Sequence, residues 1–330
     1  MNLAHERIVV TGGGGFLGHH VRQELLRSGV PAEQILVPRR RQYDLTREAD
    51  VARMYAELDP SMLIHLAAEV GGIGANRAQP ARFFYANTAM GLHLIEHARR
   101  RKTRKFIQIG TVCSYPRLTP IPFTEDALWD GYPDQTNAPY GIAKKALLVM
   151  LQAYRQQYGL NGVYLIAANL YGPHDNFDPQ TSHVIPALIY KFLRAIENGE
   201  DTVTVWGTGA ASREFLYVED AARAIVLASE LYDEPAPLNI GSGQDITIRA
   251  LAEQIQELTG FDGQLVWDAS KPDGQPRRRL DTRRAEQSLG FRAQVSLAEG
   301  LERTTIWYRD QQRRATRTTV AHAHADVSTA

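Results

Sequence analysis

At 330 residues with 44% apolar side chains, the chain is long enough to bury one large core, or a core and a smaller lobe. Its 37 Lys plus Arg balance 37 Asp plus Glu, so it lacks the net field that draws proteins to nucleic acid or anionic membranes. Small molecules or a second copy of the chain are the expected partners. No apolar run approaches the ~20 residues of a membrane span. One cysteine, Cys113, cannot close an intramolecular disulfide, and the start lacks the apolar core of a signal peptide, so a cytoplasmic location is expected.

In chain order, "RIVVTGGGGFLGHHVRQELLRSG" reads as a buried strand, a glycine turn and an amphipathic helix ending near Gly29. "ILVPRR" is a second strand and "SMLIHLAAEVGG" a third. "ANTAMGLHLIEHARRRK" is a helix, and "KFIQIGTVCS" a fourth strand. This alternation predicts an α/β fold, a Rossmann-like doubly wound parallel sheet with helices on both faces. "YGLNGVYLIAANLYGP" adds a further helix-to-strand step, after which the loop "HDNFDPQTSH" breaks the pattern. "EFLYVEDAARAIVLASELY" returns to strand then helix, whereas "DITIRALAEQIQELTGF" and "SLAEGLERTTIWYRDQ" read as helices of a smaller α/β lobe.

The expected division is a nucleotide-binding domain over 1–172 with a returning segment at about 213–240. A substrate-binding lobe takes 173–212 and 241–312. The end, 313–330, is polar and aperiodic and reads as a disordered tail, with His322 and His324 as solvated tail residues.

Gly12, Gly15 and Gly18 form G-x-x-G-x-x-G between the first strand and its helix. Glycine there permits the tight turn and lets a pyrophosphate reach the positive end of the helix. Where many NAD-binding domains carry an acidic residue for the ribose 2′-hydroxyl, this chain reads "VPRRRQYDL". Arg39, Arg40 and Arg41 favour a 2′-phosphate and hence NADP(H); the alternative is a solvated basic turn. Asp44 falls nearer the adenine than the ribose.

Tyr140 and Lys144 in "NAPYGIAKK" lie four apart and share a helix face. An ammonium beside a phenol lowers its pKa, which suits proton transfer to or from a carbonyl oxygen during hydride transfer. Thr111, ending the fourth strand, places a hydroxyl where it can share that oxygen. If the strand continues, its two-residue period turns Cys113 to the same side. The alternative for Cys113 is a small buried hydrophobe. His174, Asp175, Asp178 and His183 lack recognised zinc spacing, so no metal site is expected.

"TGGGGFLG", "HLAA", Thr111 and "YGIAK" together resemble the extended short-chain dehydrogenase/reductase superfamily. More closely, "AAEVGGIGAN", "CSYP", "NLYGPHDNF", "SHVIPAL", "VWGTGAASREFLYVED" and "DASKPDGQPRR" resemble the GDP-L-fucose synthase family over about residues 6 to 310. The resemblance implies an NADPH-dependent enzyme that epimerises C3 and C5 of GDP-4-keto-6-deoxy-D-mannose and reduces C4. Cys113 and His183 are then the epimerisation pair, and Tyr140, Lys144 and Thr111 serve reduction. Implied cofactor contacts are Gly12, Gly15, Phe16, Leu17 and Gly18, with Leu66, Ala67 and Ala68. Asn169, Leu170 and His183 join them near the nicotinamide.

Lys191, Trp206, Arg213 and Arg278 match the family's GDP-sugar contacts, although Trp206 could be core packing and Arg213 a partner of Glu219 or Asp220. A homodimer through paired helices is also implied. Thr111 stands where the family usually has serine, and Ala167 and Ala168 where a proline-containing pair is usual. These departures leave open a related GDP-4-keto sugar such as a 6-deoxy-heptose, or only one of the two activities. A non-catalytic NADP-sensing protein would have lost the reactive side chains that this chain keeps.

Overall fold

The computed structural model describes residues 1–327. The first half runs β1 (Ile8–Thr11), α1 (Phe16–Arg27), β2 (Ile35–Leu36), α2 (Glu48–Leu58) and β3 (Met62–His65). It continues through α3 (Ile73–Ala78), α4 (Pro80–Arg100), β4 (Lys105–Thr111), α5 (Ala138–Tyr158) and β5 (Gly162–Ala167). Next come β6 (Asn169–Tyr171), α6 (Val184–Asn198), β7 (Thr202–Trp206), β8 (Ser212–Tyr217), α7 (Val218–Leu231) and β9 (Leu238–Ile240). The chain closes with β10 (Asp245–Thr247), α8 (Ile248–Thr259), β11 (Gln264–Asp268), β12 (Arg277–Arg278), α9 (Arg283–Leu289) and α10 (Leu297–Val327).

Six strands form one parallel sheet in the order β2-β1-β3-β4-β5-β9. β1, β3 and β4 are buried along their whole length, which is why "IVV", "MLI" and "KFIQI" read as apolar runs without alternation. α1 and α7 pack as one layer against the sheet, and α2, α4 and α5 as the other. Because β2 lies to one side of β1 and β3 to the other, the crossovers reverse there and open a crevice at the strands' carboxyl ends. β2 is only two residues long, since Pro38 has no N–H to extend a ladder, and Arg39–Arg41 fall in a turn.

A second core gathers apolar side chains of α6, β7, α8 and α10 around Phe192 and Leu251. α6 buries Ile185, Leu188, Ile189, Phe192 and Ala195 at helical spacing, and β7 buries Val203 and Val205 in alternation. β8 links the two halves: it pairs with β6 leaving the main sheet, and with β10 and β12. Ala285 and Leu289 of α9, inside the segment expected in the smaller lobe, belong to the first core.

α10 corrects the expected tail, because residues 313–327 continue the helix and only 328–330 lie outside the described residues. That stretch holds no Gly or Pro, and extending a nucleated helix adds one hydrogen bond per residue fixed. Among the described residues, no helix is long and apolar enough to cross a membrane.

Candidate active site

A cleft of about 670 Å³ opens at the carboxyl ends of β1, β3, β4 and β5. Its floor at one end is the glycine turn. Gly12 has φ +72, and a Cβ there would lie 2.7 Å from the Ala67 nitrogen; a Cβ on Gly18 would lie 2.2 Å from the Gly12 carbonyl oxygen. Turn, strand end and helix therefore touch through backbone. Gly15 is the N-cap of α1 and no side chain caps that end, so its amides are available to an anion.

Phe16 and Leu17 of α1 line this end, as do Leu66, Ala67 and Ala68 after β3. Arg39 crosses the turn: a Cβ on Gly14 would lie 1.7 Å from its Nη1. Arg40 also lines the cleft but pairs with Glu69 at 3.3 Å, and Arg41 does not line it. Asp44 accepts hydrogen bonds from the Thr46 amide and hydroxyl, which hold its carboxyl below the usual range. Uncapped amides, a side-chain-free turn and a guanidinium over it fit a dinucleotide carrying an extra phosphate.

At the other end the cleft is lined by Thr111, Cys113, Tyr140, Lys144, Asn169, Leu170 and His183. Tyr140 and Lys144 belong to the stripe of α5 that also buries Ala143, Leu147, Leu148 and Leu151, so helical spacing aims both inward. Lys144 Nζ stands 6.0 Å from the Tyr140 ring centre. Burial pulls Lys144 down to about 8. The expected lowering of the Tyr140 pKa is not observed: burial first, and the charge of Cys113 second, push the phenol up. Desolvation, which disfavours the phenolate, is the larger of the two causes.

Cys113 reaches the cleft by a different route from the one expected. β4 ends at Thr111, and Val112–Ser114 form a 3₁₀ turn. The Thr111 Oγ1 accepts the Cys113 amide at 3.2 Å, so Thr111 caps the turn that presents the thiol. Arg278 Nη1 donates to Cys113 Sγ at 3.5 Å.

His183 is the N-cap of α6; its ring is open to the cleft yet enclosed by protein, and burial lowers its pKa. Asp175, also lining the cleft, accepts the Asn176 amide on Oδ1 at 2.7 Å, while its buried Oδ2 has no partner among the described residues. Burial pushes Asp175 up to about 7. Asp178 instead closes its own turn by accepting the Gln180 and Thr181 amides. Among the described residues no cluster of three or more His, Cys, Asp or Glu could hold a metal.

Lys191, Trp206, Arg213 and Arg278 do not line this cleft. Arg213 and Arg278 are register partners on β8 and β12, and Arg278 alone touches a cleft residue, Cys113. Arg213 donates to the Ser212 and Asp273 carbonyls rather than to Glu219 or Asp220; burial, then Arg278, bring it down to about 10. Trp206 is 58% exposed under Lys271 at the end of β7, so it is not core packing. Lys191 Nζ donates to the Thr204 carbonyl at 2.8 Å, two residues from Trp206. Sequence reasoning missed Asp175 as a cleft carboxyl and Arg278 as a neighbour of the thiol. Arg278 lies 165 residues from Cys113, and no local pattern links them.

The profile of the NAD dependent epimerase/dehydratase family matches residues 8–241. GDP-L-fucose synthase 1 of Arabidopsis thaliana is 41% identical over 302 residues, covering 92% of this chain and 93% of its own length. The GDP-L-fucose synthase of Escherichia coli (strain K12) is 37% identical over 321 residues, covering 94% and 99%. Among solved structures, a GDP-mannoheptose C4 reductase from Campylobacter jejuni with NADP bound matches with a TM-score of 0.83 at 27% identity, covering 93% of this chain and 99% of that one. The chain belongs to the NAD dependent epimerase/dehydratase family and, within the extended short-chain dehydrogenase/reductases, to the GDP-L-fucose synthase family.

Proposed function

We propose that the protein converts GDP-4-keto-6-deoxy-D-mannose to GDP-L-fucose, inverting C3 and C5 and then reducing C4. The observation that carries this reading is that a thiol, Cys113, and a phenol, Tyr140, line one cleft. Two different proton chemistries thus face one reaction space.

The glycine turn would hold NADPH, which would supply the hydride. Gly12, Gly15 and Gly18 would admit its pyrophosphate, Arg39 would recognise its 2′-phosphate, and Asn169 and Leu170 would hold the nicotinamide end. Cys113 takes the proton alpha to the C4 ketone, the electron pair passing to the ketone oxygen, and His183 returns a proton to the opposite face. Tyr140 then gives its proton to the C4 oxygen, with Thr111 and Lys144 positioning it. Lys191, Trp206 and Arg213 hold the GDP moiety.

The test is product identification after incubation with GDP-4-keto-6-deoxy-D-mannose and NADPH. GDP-L-fucose supports the reading, and an unepimerised 6-deoxy sugar refutes it. A related GDP-4-keto sugar is the second reading, favoured by Thr111 and by the likeness to the Campylobacter jejuni reductase.

We also read the chain as a nucleotide-binding domain interleaved with a substrate lobe, acting as a homodimer through α4 and α5. Tyr85 and Leu92 of α4 and Val149 of α5 stand exposed on these two packed helices, in keeping with that interface. A single thiol and no disulfide fit a reducing cytoplasm.

A further inference from the structure

Arg278 is a buried guanidinium with no carboxylate at ion-pair distance among the described residues. Burying a cation without a counter-charge is costly, so its surroundings are informative. Its Nε donates to Gln275 Oε1 at 2.7 Å, and Gln275 is buried and fixed in turn, its Nε2 donating to the Pro116 and Arg117 carbonyls. Held this way, the fork puts Nη1 3.5 Å from Cys113 Sγ.

We propose that Arg278 is the positioning residue for the Cys113 base, holding the thiol as a thiolate and aiming it into the cleft before any substrate arrives. The thiol proton leaves to solvent, the guanidinium pairs with the sulfur anion, and that anion is free to take the proton alpha to the ketone. This assigns Arg278 a role other than contact with the GDP moiety. The chemical purpose rests on the epimerase reading above, but the test needs neither substrate nor turnover.

The other charged and titratable groups around the thiol come from every neighbouring element. Arg213 of β8 lies beside Arg278, and Asp134 precedes α5 and is drawn to Arg278 and Arg117. Tyr140 and Lys144 face the cleft from α5, His183 from the start of α6, and Asp273 acts on Arg213. Among the described residues, Arg278 alone of these cations has a donor on the sulfur.

Because Cys113 is the sole cysteine, iodoacetamide labelling of the full-length chain, followed by mass spectrometry across a pH series, reports on this thiol alone. For Arg278→Gln, the midpoint of the rate profile should rise by about one pH unit, and labelling near neutral pH should slow roughly tenfold. Arg278→Lys should recover part of that shift. Should Arg278→Gln fail to fold, Gln275→Glu sets a carboxylate against the same guanidinium, neutralises it and should raise the midpoint as well. An unmoved midpoint in a folded Arg278→Gln or Gln275→Glu protein overturns the proposal and leaves Arg278 as a phosphate ligand only. A product other than GDP-L-fucose would instead count against the substrate reading and leave the labelling result standing.

Discussion

The Ser114 hydroxyl donates a 3.0 Å hydrogen bond to the Gly141 carbonyl, tying the turn that carries Cys113 to the helix that carries Tyr140. The contact is possible because residue 141 has no side chain: a Cβ there would lie 2.4 Å from the Cys113 carbonyl oxygen. Gly141→Ala should therefore push the thiol turn away from α5, costing about 1–3 kcal/mol in stability and slowing both half-reactions. Thermal unfolding with C3 proton exchange and NADPH oxidation measures this; wild-type values for both reactions would show that the turn has slack.

Tyr140→Phe separates the two chemistries. It removes the proton donor for the C4 oxygen but leaves Cys113 in place, so reduction should fall by at least ~100-fold while exchange of the C3 proton continues. Loss of exchange as well would show that the phenol also serves epimerisation.

Cys113→Ser is the converse. Exchange at C3 and C5 should be suppressed while NADPH still binds, because the glycine turn and Arg39 lie at the other end of the cleft. Undiminished exchange would return Cys113 to the role of a packed small side chain.

Arg39 and Arg40 stand side by side in sequence but are not equivalent. Arg40 is engaged by Glu69, whereas the Arg39 guanidinium lies over the glycine turn. Arg39→Ala should weaken NADPH binding by roughly 10- to 100-fold and leave NADH binding little changed, with a smaller loss for Arg40→Ala. Fluorescence titration of the two cofactors measures the difference, and equal losses for NADPH and NADH would refute phosphate recognition by Arg39.

Asp175 gives a pH signature. Burial raises its folded value from 3.8 to about 7, so the folded state holds this proton more tightly than the unfolded chain does. Its contribution to stability is full below the unfolded value and is lost as pH rises through the folded one. Asp175→Asn should accordingly raise Tm over the wild type at about pH 8 by a few degrees, with the gap closing towards about pH 4. A gap that does not change with pH would mean that the carboxyl is solvated in the folded protein.

The doubly wound sheet was legible because β1, β3 and β4 are continuous apolar runs and glycine marks the first turn. The Tyr140–Lys144 pair was legible because helical spacing is local. Cys113 was placed on the correct cleft through an incorrect local path: strand alternation was extended past Thr111, where capping by its hydroxyl ends the strand in a 3₁₀ turn. The expected downward pull of Lys144 on the Tyr140 phenol gives way to an upward push, because burial is a property of the packed core and not of the helix spacing. Arg278 beside Cys113 and the unpartnered oxygen of Asp175 depend on contacts between distant segments, which no periodicity encodes. The α10 extension was missed because a polar sequence without apolar rhythm resembles a tail, although nothing in it interrupts a helix.

The central claim, that one cleft both epimerises and reduces, is tested most directly by NMR of the product formed from GDP-4-keto-6-deoxy-D-mannose and NADPH in deuterated water. The account predicts GDP-L-fucose carrying deuterium at both C3 and C5. A reduced 6-deoxy sugar with protium retained at both carbons would contradict it.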